Sequence, residues 1–197
     1  MSSPPETGLR QRKKAKTRAA IQAQALRLFR EHGYAGTTVE QIADAAEVSQ
    51  STFFRYFPTK EDVVLHDRFD PALIEAFHAQ PAELTPTQAL RGAMRAVFSE
   101  LPAAELEQER QRAELIFSVP ELRARALAQL TDTLQMACGM IAERVGRSPD
   151  DFAVRTFTGA VMGVALAAVL VAAEQPEGDY LALMDQGLAH LETGLRL

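Results

Sequence analysis

A single cysteine, Cys138, stands in a chain of 197 residues, which excludes an intrachain disulfide framework and a cysteine-based zinc finger. No basic residue lies within four positions of it, so it reads as a buried, inert thiol. Histidine is scarce too: His32, His66, His78 and His190 are all there are. Glu75-x-x-His78 is one half of a di-iron bundle signature, and the second half is missing. No glycine-rich phosphate loop, nucleophile elbow or paired-cysteine motif occurs. The expectation is therefore a protein with no catalytic residues, no metal and no cofactor. No cationic stretch followed by an apolar core opens the chain, so no secretory signal is read and a cytoplasmic location is expected. Strict alternation of apolar and polar residues is absent as well, which leaves no strand and an all-α fold.

Charge is present, and unevenly placed. Residues 1–60 hold ten Lys/Arg against five Asp/Glu, a net +5, whereas the remainder holds eleven against twenty-one, a net −10. A small basic head on a larger acidic body suits a polyanion-binding module attached to something that stays off the polyanion. Arg10, Arg12, Lys13, Lys14, Lys16 and Arg18 supply six of the ten positives. Residues 1–15 read as a disordered basic arm, because the first nine are rich in Ser and Pro and almost devoid of apolar side chains.

Helical spacing begins near Thr17. Ile21, Ala25, Leu28 and Phe29 share a face, and Gly33 ends the run. Thr38 and Gln41 form a capping-box pattern at the start of a second helix, whose inner face is Val39, Ile42 and Ala46. Ser49 caps a third helix over about residues 50–56, stopped by Pro58. Thr59 caps a fourth, which Pro71 should kink or divide. Further helices are expected at about 87–100, 104–117, 121–146, 150–174 and 178–194, for about nine in all.

Two short helices joined by a tight turn between Thr37 and Lys60 match a helix-turn-helix, whose second helix enters the major groove of DNA. Gln50, Ser51 and Thr52 suit that role, since Gln pairs bidentately with adenine and the Thr methyl fits against a thymine methyl. Arg55 and Tyr56 follow at the end of the helix. Lys60 and the backbone after Thr38 are placed to anchor phosphates. Val48, Phe53 and Phe57 fall on the inward side of the pattern.

Gly33-Tyr34, Thr37-Thr38-Val39, Ile42-Ala43, Ala46, Val48-Ser49 and Ser51-Thr52-Phe53-Phe54-Arg55-Tyr56-Phe57, followed by Lys60-Glu61, resemble the N-terminal DNA-binding domain of the TetR family of transcriptional regulators. The resemblance covers about residues 16–65. It implies DNA contacts from Thr38, Gln50, Ser51, Thr52, Arg55, Tyr56 and Lys60. In the family the position of Phe54 is usually tyrosine and contacts phosphate; Phe54 has no hydrogen bond to donate there. With the arm at 1–15, the resemblance implies a three-helix DNA-binding domain at 16–60 and an effector-binding and dimerisation domain at 61–197.

Gly159–Ala173 is uncharged from end to end. At fifteen residues it is shorter than the roughly 18–20 that span a membrane, so no membrane insertion is expected. A helix apolar all round must be covered on every side. With Leu181, Met184, Leu188 and Leu191 it suits half of a symmetric four-helix interface, which makes a homodimer through the last two helices the expectation. Met94, Phe98, Phe117, Leu134, Cys138 and Phe157 are candidates to line a pocket for a small hydrophobic or amphipathic effector. The expected function is a repressor released by that effector from a palindromic double-stranded DNA operator. Sequence does not separate repressor from activator, and a small helical enzyme or lipid carrier with a basic tail is the competing reading.

Overall fold

A computed structural model describes residues 6–99, 101–174 and 179–195. The described residues form ten helices: α1 Glu6–His32, α2 Val39–Ala45, α3 Gln50–Tyr56, α4 Lys60–Leu65, α5 Asp70–His78, α6 Pro86–Phe98, α7 Ala103–Ser118, α8 Pro120–Val145, α9 Phe152–Glu174 and α10 Tyr180–Glu192. The fold is all-α, as expected, with one helix more than the count of about nine. The additional helix comes from the division at Pro71: α4 stops at Leu65 and α5 restarts with Pro71 in its first turn.

The chain separates into two units, Met1–Arg68 with Leu115–Arg123, and Phe69–Glu114 with Ala124–Leu197. This corrects the expected boundaries of 16–60 and 61–197. The apolar cluster of the first unit takes in Val63 and Val64 of α4 and Leu122 at the start of α8, all at 0% exposure. Such side chains belong with the core that buries them.

The disordered arm expected at 1–15 also needs correction. From Glu6 on it is helical, forming the first turns of α1; residues 1–5 lie outside the described residues. The reason is local. Between Leu9 and Phe29 there is neither glycine nor proline, and Arg, Gln, Lys and Ala, which dominate residues 10–20, are strong helix formers. The helix ends where Gly33 adopts φ +76°, a left-handed conformation that costs glycine little.

In the first unit, Ile21, Ala25, Leu28 and Phe29 of α1 pack with Ile42, Ala43, Phe53 and Phe57. Thr37 is buried in the α1–α2 turn, its hydroxyl placed to donate to the carbonyls of Gly33 (2.9 Å) and Leu28 (3.2 Å). In the second unit, Phe77, Leu90, Met94, Cys138, Ile141, Val154, Ala168, Met184 and Leu188 form the core. Arg144 of α8 donates to the carbonyls of Phe77, Gln80, Pro81 and Leu84, closing the α5–α6 loop. Arg91 of α6 grips Asp185 of α10 through two hydrogen bonds, at 2.7 and 2.8 Å.

Helix α9 is longer in its apolar character than the fifteen residues read from sequence. Phe152–Ala172 is long and apolar enough to cross a membrane by length and composition, with a mean hydropathy of 1.9. The difference arises because Arg155 interrupts an otherwise apolar or uncharged start.

Candidate nucleic-acid interface

Three side-chain caps set the geometry of α2, α3 and α4. The Thr38 hydroxyl accepts the Gln41 N–H at 3.2 Å, and the Gln41 side chain accepts the Thr38 N–H at 2.8 Å. Ser49 accepts the Thr52 N–H at 3.1 Å. Thr59 and Asp62 form a second reciprocal box at 3.1 and 3.2 Å. Each cap satisfies donors that a helix start leaves orphaned, so α3 holds a fixed length and start despite spanning only seven residues.

One side of α3 is locked down. Phe53 is 0% and Phe57 2% exposed, while Val48 and Tyr56 are half-buried against the same cluster. The other side is open: Gln50, Ser51, Phe54 and Arg55 are exposed. Of the candidate contacts, then, Gln50, Ser51 and Arg55 share an accessible face. Thr52 is half-buried at its margin. Its hydroxyl is within 3.0 Å of Ser49 and 3.4 Å of Arg55 Nη2. Ser51 shares a 2.9 Å hydroxyl contact with Ser49. Arg55 lies 5.7 Å from the centre of the Tyr56 ring, and Thr38 is exposed at the start of α2.

Lys60 departs from its expected place. Its ammonium donates to the carbonyls of Tyr34 (2.8 Å) and Thr37 (3.1 Å) and lies 4.0 Å from the centre of the Tyr34 ring. The side chain folds back to close the α1–α2 turn, adding a donor to Thr37 O and to Tyr34 O, which also accepts the Thr37 N–H at 3.4 Å. Tyr34 completes the arrangement by donating its hydroxyl to Glu61 at 2.7 Å. Burial first, then that bond and the charges of Glu61 and Glu121, push the Tyr34 pKa well above its ordinary 10.0. For Glu61, burial opposes the charged form. It is outweighed by bonds from Tyr34, its own backbone N–H and Thr59, and by the Lys60 charge, so its pKa falls below the ordinary 4.5.

Sequence reasoning also missed Gln22. It is 4% exposed, and its amide donates to Val63 O (3.0 Å) and His66 O (2.7 Å), the last turn of α4. The available signal was a polar residue beside Ile21 on an apolar helix face. The four cations of the former arm, Arg10, Arg12, Lys13 and Lys14, are exposed along α1, as is Lys16 just after it. Arg18 is half-buried instead, with its guanidinium 5.8 Å from the centre of the Phe57 ring.

The effector candidates do not all come together. Met94, Phe98, Leu134, Cys138 and Phe157 belong to or pack against the core of the second unit. Phe117 falls in the first unit with Leu115–Arg123, because α7 ends in residues that join the head's core. Among the described residues no group of three or more His, Cys, Asp or Glu is arranged to hold a metal.

A capped helix held by its apolar side, after a tight turn and a second capped helix, defines a helix-turn-helix DNA-binding protein. Residues 21–66 match the family model described as bacterial regulatory proteins, tetR family, and residues 84–196 match the MftR C-terminal domain. The chain is 40% identical over 157 residues to the HTH-type transcriptional regulator TcmR of Streptomyces glaucescens, covering 76% of this chain and 70% of that one. It is similar to the crystal structure of Thermus thermophilus FadR, a TetR-family transcriptional repressor in complex with lauroyl-CoA. Identity is 26%, TM-score 0.58, with 91% of this chain and 95% of that one covered. The fold is also that of FadR from Bacillus halodurans, at 23% identity and TM-score 0.61 over 91% and 96% of the two chains. The chain belongs to the TetR family of transcriptional regulators, a family of DNA-binding regulators rather than enzymes.

Proposed function

We propose that this protein is a one-component repressor that grips a palindromic operator as a homodimer and is released by a small hydrophobic or amphipathic effector. The observation that carries the DNA-reading part is α3 itself: a helix with Phe53 and Phe57 sealed beneath it and Gln50, Ser51 and Arg55 open above it. Exposed hydrogen-bonding side chains on a rigid support are what major-groove readout needs. Thr38, exposed at the start of α2, and the half-buried Tyr56 at the end of α3 are assigned to flanking phosphate. The cations on the first turns of α1 add contacts to flanking phosphate or the minor groove.

Dimerisation through α9 and α10 is supported by what α9 leaves uncovered. Gly159, Gly163, Leu166, Ala167 and Leu170 recur at helical spacing and are exposed, Leu166 at 45% and Leu170 at 46%. Alongside, α10 exposes Ala182, Gln186 and His190. Small residues permit close helix approach, and a second copy supplies the missing cover. Two α3 helices then address successive major grooves, half-sites separated by about one DNA turn, roughly 34–36 Å.

The effector reading rests on the adaptable Met and Phe side chains of the second unit and on the lauroyl-CoA held by the Thermus relative. The chain passes between the two units at Arg68–Phe69, Glu114–Leu115 and Arg123–Ala124, so α4, α7 and α8 are the covalent routes for a signal. A ligand preferring one head spacing by a few kcal/mol is sufficient for release. A DNA-binding regulator of this kind works in the cytoplasm, where the operator is.

The test is titration of fluorescent duplex from upstream of the encoding gene at two salt concentrations, with and without lauroyl-CoA. Operator-selective binding that acyl-CoA weakens supports the proposal. Binding equal on operator and scrambled duplex would overturn the DNA-reading part. Tightening by ligand would overturn the repressor-release part.

A further inference from the structure

Phe54 is the one residue on the open side of α3 that no polar role explains. It is 48% exposed, although burying such a ring is strongly favourable. One turn after Gln50, it shares that residue's flank of the helix. Its ring packs edge-on against the buried Phe53, with centroids 5.4 Å apart and planes at 88°, so its direction is set by the core. A phenyl group donates no hydrogen bond, and phosphate gives it nothing apolar to touch. Within the major groove only one base-edge group is apolar: the 5-methyl of thymine.

We infer that Phe54 is a specificity-determining residue that reads a thymine methyl in each operator half-site, next to the base pair addressed by Gln50. This rests on α3 being the reading helix. Removing the solvent-exposed apolar area of ring and methyl together favours T·A over the other three pairs at that position, with no hydrogen bond required.

The experiment first selects a binding site from randomised duplex with the wild-type protein, then replaces each thymine singly by deoxyuracil, which deletes only the methyl. Wild type should lose about four-fold in affinity, the value of one buried methyl, at one position per half-site. Phe54→Ala should show no loss on uracil substitution there, and Phe54→Leu should keep part of it; circular dichroism melts confirm that each variant is folded. Three results would overturn the inference. Wild type could be indifferent to uracil at every position, or Phe54→Ala could keep the uracil penalty. Phe54→Tyr could tighten operator and scrambled duplex alike, which would place the ring at phosphate. Failure of the underlying reading looks different: Gln50→Ala and Phe54→Ala would then both select the same site as wild type.

Discussion

At Lys60 a cation is satisfied by two carbonyls of the α1–α2 turn, so its removal should register in stability before it registers in DNA affinity. Lys60→Met removes a donor from both carbonyls, leaving Tyr34 O with only the 3.4 Å bond from Thr37 N–H, and should cost about 1–3 kcal/mol in urea denaturation. The salt dependence of DNA binding should stay unchanged, whereas losing a phosphate contact would lower its slope by about one. Next to it, Tyr34 and Glu61 set a pH dependence with two limbs. The folded-state pKa of Tyr34 is raised, so its contribution is complete below 10.0 and declines as pH rises beyond that value. The Glu61 value is depressed, so its contribution is present above 4.5 and lost as pH falls below it. Tyr34→Phe should flatten the alkaline limb and weaken the acid one, as urea midpoints across pH will show. Of these roles the caps were legible in sequence, since Thr38, Ser49 and Thr59 each act on a donor three residues ahead. Those of Lys60 and Gln22 were not, because their acceptors lie 23 to 44 residues away and no local pattern points to them.

Among the elements, α1 and the α9–α10 pair carry consequences that the helix pattern alone does not convey. The basic arm is a continuation of α1, so its cations are presented on a rod rather than a flexible tail. Deleting residues 1–15 should weaken binding to all duplexes alike and reduce the salt slope, measured by affinity over a series of salt concentrations. Reading that segment as disordered gave weight to the Ser/Pro start and too little to the helix formers after it. In α10, a Cβ on Gly187 would stand 2.4 Å from Val164 Cγ1 of α9, so the two helices meet through a missing side chain. Gly187→Val should push them apart, lower the melting temperature and shift the protein toward monomer in sedimentation; an unchanged sedimentation profile would separate this contact from dimerisation. The division of the fourth helix was visible in Pro71, while the recruitment of Leu122 into the head's core was not, since nothing local links residue 122 to Phe53.

For the whole molecule, the opposed charges of residues 1–60 and the remainder describe a division of labour that the two apolar clusters repeat. The basic part carries the helix-turn-helix and the acidic part the second core, where the candidate effector residues were least legible. Phe117 shows why: the sequence makes it one more apolar residue on a middle helix, whereas the division between units falls inside α7, between Glu114 and Leu115. The most direct test of α3 as the reading helix is the affinity of wild type and Gln50→Ala for operator and scrambled duplex at one fixed salt concentration. Gln50→Ala should lose about 1–3 kcal/mol on the operator, the value of a bidentate base contact, and keep its affinity for scrambled duplex. Equal loss on both, or loss on neither, would contradict it.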